Sequence, residues 1–305
     1  ADTIKGGGGA DVIVGGTGAD TLEGEAGIDH ISGGDGNDTI SVTDHSDFKT
    51  SGGAETVDGG SGNDTLSFSE LIAGGLTITA PEMEAITGIE IIDASDTIGA
   101  QPTSVTLGNG FFTSNGSTTI TYDGNDSTDN AADNKLDLSS VSNGSAIFYG
   151  NDAQAGAVDT FLGGSGDDTW IVTGTTAQIT GASDVFTGNG GEDQFLIVNS
   201  ASSTSTIDFS NVTSVEKAVT QLNSSGTIVI ALGSVATTDL EPATFTVDGS
   251  SVTTSTGTIN FNNGNTDEIQ MATAFTLKGG INGDTLAGGY QADTMTSPWF
   301  GEVIR

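Results

Sequence analysis

The sequence predicts an all-β fold, in which a parallel β-roll or β-helix continues into Thr- and Ser-rich β-solenoid coils. A nine-residue pattern repeats without interruption from the first residues onward. Between the glycine-rich blocks, Thr, Ser, Ile and Val alternate with a period of two, as residues do in half-buried strands. Helical periodicity is almost absent, and residues 81–86 alone have the composition for one helical turn.

The N-terminal block contains four nonapeptides in one register, GGGGADVIV, GGTGADTLE, GEAGIDHIS and GGDGNDTIS. Each is close to Gly-Gly-x-Gly-x-Asp-x-U-x, where U is a large apolar residue, here Ile13, Leu22, Ile31 and Ile40. The U side chain of each short strand points inward while its neighbours point outward. We expect two nonapeptides to complete one coil, so that turns two repeats apart stack at about one strand spacing (~4.8 Å).

The residue types in these turns predict a calcium site. Glycines at positions one, two and four allow positive φ and sharp turns, so that carbonyl oxygens point into the turn. The Asp at position six adds a carboxylate, and Ca²⁺ prefers such oxygen ligands, whereas zinc prefers His or Cys. The candidate metal-binding residues of this block are Asp2, Asp11, Asp20, Asp29 and Asp38, with Gly7, Gly9, Gly16, Gly18, Gly34 and Gly36.

Stacking of alternate turns predicts which aspartates face each other. The turn ending in Asp11 should face the turn of Asp29, and the turn of Asp20 should face that of Asp38, which gives two rows of metal. The third repeat departs from the pattern at Glu25, where a non-glycine residue strains the turn. We therefore expect the Asp11/Asp29 site to be weaker than the Asp20/Asp38 site.

Shorter copies of the same pattern follow along the chain, and each adds candidate calcium ligands. In the C-terminal copies, Asn282 and Gln291 stand where the fourth-position glycine belongs, so these turns are the weakest candidates. The alternative is that Gly/Asp/Asn/Ser clusters are ordinary loops, which is our interpretation of the isolated GND at 124–126. The added candidates are Asp64 with Gly60 and Gly62, Asp159, Asp168 with Gly164 and Gly166, Asp184, Asp193, Asp284 and Asp293.

The segments between these blocks read as strands, with clear examples beginning at Leu76, Ser117, Thr244 and Gly257. Two phrases recur at long intervals: KLDLSSV resembles TIDFSNV, and ITGIEII at 86–92 resembles VTSVEKA at 212–218. Recurring strand-and-turn phrases are typical of a solenoid whose coils stack their inward residues. Two or three separate β-sandwiches joined by calcium rolls are the alternative.

These patterns divide the chain into five segments. Residue 1 falls inside a repeat, so we expect the chain to be part of a longer protein. The segments are 1–43 (calcium β-roll), 44–158 (β-solenoid with one calcium turn at 59–67), 159–196 (second calcium block), 197–274 (Thr-rich strands) and 275–305 (C-terminal turns like those of the first block).

Composition indicates that the metal controls folding. The 305 residues carry 41 Asp and Glu against six Lys and Arg, a formal charge of −35, and only 34% are hydrophobic. Without counterions such a chain lies near the disordered class. Extracellular modules bind calcium with Kd of roughly 10⁻⁴ to 10⁻³ M, so millimolar calcium adds about 1 to 3 kcal/mol per site.

The same properties bear on location and partners. Cytosolic calcium is too low to fill such sites, and the chain has no Cys, so we expect it to act outside the cell. No apolar run approaches the ~20 residues of a transmembrane helix. The acidity argues against nucleic acid and anionic lipid as direct partners unless calcium bridges them.

A catalytic site is not expected. The chain has only two histidines, His30 and His45, and it contains neither H-E-x-x-H nor G-x-S-x-G. Its six basic residues are scattered, which argues against polysaccharide cleavage by paired carboxylates and a cation. We therefore name no catalytic residue.

At residues 6–42, 59–67, 159–171, 184–196 and 277–295 the chain resembles the RTX (repeats-in-toxin) family of bacterial proteins exported by type I secretion. The resemblance implies a right-handed parallel β-roll, calcium held by turn carboxylates and glycine carbonyls, and folding after export. It does not determine an activity, because RTX blocks occur in proteases, lipases, toxins, adhesins, epimerases and surface-layer proteins.

Within that family, the Thr-, Ser-, Ala- and Gly-rich composition and the phrases TGIEIIDAS and TSVEKAV most resemble bacterial surface-layer (S-layer) proteins. This implies a protein at the cell surface whose partner is itself, through calcium-assisted lattice or filament contacts, with cell-surface polysaccharide as a second candidate partner. The alternative is a non-catalytic RTX module of a secreted adhesin or extracellular enzyme, which binds a glycan or a protein.

Overall fold

The computed structural model describes residues 1–42, 55–68, 76–94, 103–124, 134–150, 158–173, 184–199 and 211–222. It also describes the strand backbone at 204–208, 227–231, 244–248, 258–262, 274–278, 285–286, 294–296 and 303–304. The chain forms two compact units, Ala1–Tyr149 with Ala157–Gly166, and Gly150–Gly156 with Asp167–Arg305.

The first unit contains fifteen strands and two short helices. They are β1 (Thr3–Gly8), β2 (Val12–Thr17), β3 (Thr21–Ala26), β4 (His30–Asp35), β5 (Thr39–Ser41), β6 (Thr56–Ser61), β7 (Thr65–Ser67), β8 (Leu76–Ile78), α1 (Ala80–Met83), β9 (Ile86–Thr87), β10 (Ile91–Asp93), β11 (Thr103–Thr106), α2 (Asn109–Asn115), β12 (Thr119–Asp123), β13 (Lys135–Asp137), β14 (Ser145–Gly150) and β15 (Thr160–Leu162).

The strands described in the second unit are all short. They are β16 (Thr169–Thr173), β17 (Val185–Thr187), β18 (Gln194–Asn199), β19 (Thr204–Asp208), β20 (Val212–Thr213), β21 (Lys217–Leu222), β22 (Thr227–Ala231), β23 (Thr244–Asp248), β24 (Thr258–Asn262), β25 (Ala274–Lys278), β26 (Thr285–Leu286), β27 (Thr294–Thr296) and β28 (Val303–Ile304).

Strands pair in parallel with strands one coil away, which is the arrangement of a β-solenoid. In the first unit the sheet orders are β1-β3-β5-β7-β10-β12-β14, β2-β4-β6-β9 and β8-β11-β13-β15. In the second unit they are β16-β18-β21-β23-β25-β27, β17-β20 and β19-β22-β24-β26-β28. The predicted fold class is confirmed, and the alternative of separate β-sandwiches is wrong because the described strand pairs are parallel.

The first block forms coils of two nonapeptides, as predicted. Thr3 of β1 lies opposite Thr21 of β3, and β2 pairs with β4 in the same register. Equivalent turn residues there are 18 apart in sequence, whereas the described later coils range from 18 residues (Thr276 to Thr294) to 31 (Ser104 to Lys135). The described strands keep their parallel stacking at each of these coil lengths.

The core is a set of columns of inward side chains, one from each coil. In one column Leu22, Ile40, Leu66 and Ile92 lie in register on successive strands and are fully buried. A second column continues through Ile13, Ile31, Val57 and Ile86 in the β2-β4-β6-β9 sheet. Each such side chain contributes about 1.5–3 kcal/mol of burial free energy. The U positions of the repeat are therefore the core positions.

Two helices interrupt the first unit, and one of them was not expected from the sequence. Helix α1 occupies the predicted single turn and begins with a capping box between Thr79 and Glu82. Helix α2 follows Gly108 and ends at Gly116, which takes φ of 70°. Seven residues are too few to establish a helical period, and the burial of Phe111 and Phe112 is decided by tertiary packing.

Candidate metal centre

The turns of the N-terminal block have the backbone conformation that the glycine pattern predicts. All eight predicted glycines up to residue 62 take positive φ between 99° and 150°. At Gly164 and Gly166 the backbone does not enter this left-handed region, so the second block turns differently at that point. The eight positive-φ glycines are Gly7, Gly9, Gly16, Gly18, Gly34, Gly36, Gly60 and Gly62.

The turn aspartates of the first unit form hydrogen-bonded ladders from coil to coil. The backbone N–H of Asp11 donates to Oδ1 of Asp29 over 2.8 Å, which confirms that these two turns face each other. In the other row, Asp20 donates to Asp38 over 2.7 Å and Asp38 donates to Asp64 over 2.8 Å. Asp2 begins this row by donating to Asp20 over 2.5 Å. Each carboxylate therefore holds the coil before it in register.

The same ladder recurs outside the N-terminal block. In the second unit the N–H of Asp168 donates to Oδ1 of Asp193 over 2.8 Å. In the first unit the backbone N–H of Asn134 donates to Oδ1 of Asp159 over 3.0 Å. The side-chain amide oxygen of Asn134 accepts the N–H of Thr103, so in that row an asparagine takes the place of one aspartate. Asp184 is also buried, with 7% of its surface exposed. The predicted aspartates Asp284 and Asp293 lie outside the described residues.

Every buried acidic residue of the described chain stands immediately before a strand. This shared position places all of them at turns, where the ladder runs, and not in the middle of a sheet face. The residues are Asp20, Asp29, Asp38, Glu55, Asp64, Asp159, Asp168, Asp184, Asp193 and Glu216.

One oxygen of most ladder carboxylates has no protein partner. Oδ2 is buried without a hydrogen bond in six aspartates. In five of them, all but Asp11, Oδ1 accepts a backbone N–H from the coil before. A buried carboxylate oxygen left unpaired costs about 1–3 kcal/mol or more, so these oxygens are candidate ligands for a cation. The six are Asp11, Asp20, Asp29, Asp38, Asp64 and Asp193.

For five of these six aspartates, all but Asp29, the unpaired oxygen and a backbone carbonyl oxygen from the next coil border the same glycine Cβ position. A Cβ placed on Gly15 would stand 2.6 Å from the carbonyl oxygen of Gly33 and 2.7 Å from Oδ2 of Asp20. A Cβ on Gly6 would meet the carbonyl of Gly24 and Oδ2 of Asp11, both at 2.8 Å. The first-position glycines thus keep open a space that two oxygens border. Oxygen ligands of this kind are those of Ca²⁺, so the residues present fit the ion.

The site relies on carbonyl oxygens more than on clustered side chains. In the described part of the chain, no group of three or more His, Cys, Asp or Glu side chains is placed to hold a metal ion. The described histidine, His30, has an exposed side chain that contacts Thr56. These observations favour a hard cation bound by backbone and carboxylate oxygens over a zinc-type site.

Burial raises the pKa of three ladder residues, Asp64, Asp193 and Glu216, and neighbouring carboxylates add to the effect. Burial raises the pKa of Asp193 to about 7; the N–H of Asp168 opposes the shift, and the carboxylates of Asp168 and Glu216 add to it. Burial also raises the pKa of Asp64, with the charges of Asp38 and Glu90 adding to the effect. A bound divalent cation would stabilise the ionised forms instead.

The structure adds residues that the repeat pattern did not identify. Glu90 accepts the N–H of Asp64, and Glu216 accepts the N–H of Asp193, in the position that Asp takes elsewhere in the ladder. The sequence feature that could have identified both glutamates is the similarity of ITGIEII at 86–92 to VTSVEKA at 212–218. The predicted departure at Glu25 is also present, because this residue takes φ of 65°.

Comparison with known families agrees with the geometry of the N-terminal block. The model of the RTX calcium-binding nonapeptide repeat matches residues 1–22, 14–47 and 50–67, in four copies. These residues carry RTX calcium-binding repeats, and proteins with such repeats are typically secreted. Neither the curated proteins nor the solved structures gave a match. Among the described residues, no helix has the length and apolar character needed to cross a membrane.

Proposed function

We propose that this RTX-repeat protein is a calcium-dependent structural protein of the bacterial cell exterior, of the self-assembling surface-layer type and exported by a type I system. The row of buried turn carboxylates with unpaired Oδ2 atoms carries the proposal. Coils that stack these charges at one strand spacing need cations between them. Millimolar calcium is available outside the cell and not in the cytosol, so folding would follow export.

The placement of the polar residues supports a structural role over a catalytic one. The buried acidic residues of the described chain stand at turns, one coil apart, and the columns between them are apolar. His30 lies on the outer face of β4. Catalysis by paired carboxylates needs two acids in one cleft with different environments, whereas the buried acids of the ladder stand at turns, one from each coil in a given row. We therefore propose a protein without an active site in this chain.

Self-association is the second part of the proposal. The outward side chains of β2 include Val12 and Val14, which are 77% and 62% exposed. The formal charge of −35 would keep copies apart unless calcium neutralises it. Calcium would then act twice, inside each protomer and across contacts between protomers. Cell-surface polysaccharide is the other partner we propose.

Electron microscopy of the purified protein with and without millimolar calcium tests this function. Ordered two-dimensional arrays or filaments that form in calcium and dissolve in chelator are expected, and magnesium at the same concentration is the control for simple charge screening. Dispersed single particles at high protein concentration in calcium would reject the surface-layer role. That outcome would favour the alternative, a monomeric RTX module of a secreted adhesin or enzyme, for which glycan and protein binding would be measured.

A further inference from the structure

The two phrases that recur at a long interval, 86–92 and 212–218, form the same turn in the two units. Each begins with a two-residue strand, β9 or β20, and each ends in a strand of the long sheet, β10 or β21. Between the strands lies one residue with positive φ, Gly88 at 62° or Ser214 at 51°. A glutamate follows two residues later. Neither turn contains the Gly-Gly-x-Gly sequence of the RTX repeat.

In the first unit this turn continues the carboxylate ladder with a glutamate. The N–H of Asp64 donates to Oε2 of Glu90 over 3.0 Å, as Asp38 donates to Asp64 one coil earlier. The carbonyl oxygen of Asp64 in turn accepts the N–H groups of Glu90 and Ile91, over 3.1 and 3.0 Å. The glutamate is therefore held by both its side chain and its backbone against Asp64.

The second unit repeats the arrangement with different residues. The N–H of Asp193 donates to Oε2 of Glu216 over 2.6 Å. The carbonyl oxygen of Asp193 accepts the N–H groups of Glu216 and Lys217, both over 3.1 Å. Because the two units build the same contacts independently, the arrangement is a property of the turn and not of one location.

Each glutamate turn also brings a carbonyl oxygen to an unpaired carboxylate oxygen. Asp64 is fully buried and its Oδ2 has no partner. A Cβ on Gly59 would stand 2.9 Å from that oxygen and would collide with the carbonyl oxygen of Gly88. In the second unit a Cβ on Gly188 would collide with Oδ2 of Asp193 and the carbonyl oxygen of Ser214.

The same two kinds of oxygen, a backbone carbonyl and an unpaired aspartate Oδ2, border the candidate calcium space at Gly15 in the RTX block. Gly88 and Ser214, which supply these carbonyls, take positive φ, as the second-position glycines of the repeat do. What differs is the acid. Glutamate has one more methylene than aspartate, so its carboxylate can reach the ladder from a turn of another shape.

We propose that these turns are end caps of the calcium rows, each completing a cation site that the nonapeptide pattern does not identify. The first would be held by Asp64, the carbonyl of Gly88 and Glu90, and the second by Asp193, the carbonyl of Ser214 and Glu216. The ligand is a hard divalent cation of the calcium type. This inference rests on calcium binding by the repeats.

The cap has a structural consequence for the solenoid. A row of calcium sites ends with a coil that supplies ligands toward one side only. In the first unit, the coil after Glu90 carries Asn115, whose amide exchanges hydrogen bonds with the N–H and carbonyl of Ile89. A neutral amide takes over the contact between coils there. The glutamate turn therefore marks the change from coils joined by cations to coils joined by ordinary hydrogen bonds.

The test is the calcium stoichiometry of the full chain with Glu90→Gln, Glu216→Gln and the double variant. Glutamine keeps an oxygen to accept the N–H of Asp64 or Asp193 and removes only the charge. Bound calcium would be measured by equilibrium dialysis across a calcium titration, with far-UV circular dichroism recorded on the same samples. Glu84→Gln is the matched control, because Glu84 is exposed and follows α1.

We expect each single variant to lose one ion from the tight-binding set and the double variant to lose two, with the other ions and the control unchanged. Because the glutamates lie in separate units, each variant tests its own cap. If calcium stoichiometry and affinity are unchanged in both Glu90→Gln and Glu216→Gln, the inference is wrong, and the two glutamates serve only as hydrogen-bond acceptors.

Asp38→Asn separates this failure from failure of the proposed function. If Asp38→Asn loses an ion and the glutamine variants do not, calcium binding by the repeats stands and the caps are rejected. If the unaltered protein binds no calcium, the proposed function and the caps fail together.

Discussion

The backbone N–H of Asp20 donates a 2.7 Å hydrogen bond to Oδ1 of Asp38, one coil further along the chain, while Oδ2 of Asp38 is buried without a partner. A hydrogen bond to a carboxylate is about twice as strong as one between neutral groups. The same side chain thus sets the register of two coils and offers an oxygen to a cation. Folding and metal binding are coupled through this residue.

Removal of calcium should unfold the chain. With about 1 to 3 kcal/mol from each site, several sites equal the ~5–15 kcal/mol net stability of an ordinary domain. Far-UV circular dichroism in chelator should lose its strand signal, and calcium should restore it. A spectrum that chelator leaves unchanged would show that the carboxylate ladder is stable without cations.

Asp38→Asn should weaken calcium binding while it preserves the ladder hydrogen bond. The amide oxygen can still accept the N–H of Asp20, but the site loses one negative charge. We expect the calcium midpoint of folding to rise about tenfold, which corresponds to ~1.4 kcal/mol. Asp35→Asn is the control, because Asp35 lies in the same repeat and is exposed. Equal midpoints for the two variants would mean that Asp38 is not a ligand.

A stronger form of this test removes both carboxylates of one pair. Asp20→Ala with Asp38→Ala should raise the midpoint further, since the coils also lose two ladder hydrogen bonds. Asp35→Ala with Glu84→Ala removes the same charge from exposed positions and should leave the midpoint near that of the unaltered protein.

Gly15→Ala should abolish one calcium site by steric overlap alone. Its φ is not in the left-handed region, but the new methyl would stand 2.6 Å from the Gly33 carbonyl oxygen and 2.7 Å from Oδ2 of Asp20. Gly8→Ala is the control, because nothing lies within 4 Å of its Cβ position. Calcium titration by calorimetry should find one site fewer in Gly15→Ala only.

Glu25→Gly should stabilise the calcium-loaded protein. Glu25 takes φ of 65°, which costs a residue with a side chain about 1–2 kcal/mol. Ordering a glycine on folding costs more conformational entropy, so we expect a net gain in the free energy of unfolding of roughly 0.5–1 kcal/mol. The ion pair lost with Lys5, at 3.9 Å, is exposed and contributes little. The midpoint temperature of thermal unfolding in calcium should rise for Glu25→Gly and stay unchanged for Glu25→Gln.

Acidification should favour the metal-free fold. Burial raises the pKa of Asp193 to about 7, so without calcium the folded state holds this proton more tightly than the unfolded chain does. The resulting stabilisation is fully present below the ordinary value of 3.8 and is lost as the pH rises through about 7. The pKa of Asp64 is shifted in the same direction.

In chelator, the strand signal should therefore grow as the pH falls from about 8 to about 5. In calcium the dependence should reverse, because protons compete with the metal for the same oxygens. Asp193→Asn should reduce the change seen in chelator. A flat response of the metal-free protein across this range would contradict the proton linkage.

The nine-residue pattern was sufficient to predict the first coils because each repeat carries its own turn, ligand and core residue. The spacing of Leu22 and Ile40 predicted which residues stack, and the structure places them opposite each other on β3 and β5. The same 18-residue spacing predicted that the turns of Asp11 and Asp29 lie opposite each other, and the structure places them so. Local residues specify this part of the fold, since two equal repeats always close one coil.

Tertiary structure decided what lies beyond that period. The described later coils range from 18 residues (Thr276 to Thr294) to 31 (Ser104 to Lys135), so no fixed spacing gives the partner of each strand, and the stacking of apolar side chains decides it. Helix α2 forms because burial of Phe111 and Phe112 outweighs a weak local preference. Glu90 and Glu216 join the ladder because their turns hold them one coil from Asp64 and Asp193. Sequence alone determined the repeat and the calcium-binding motif it carries, and contacts across coils determined which further residues join the ladder.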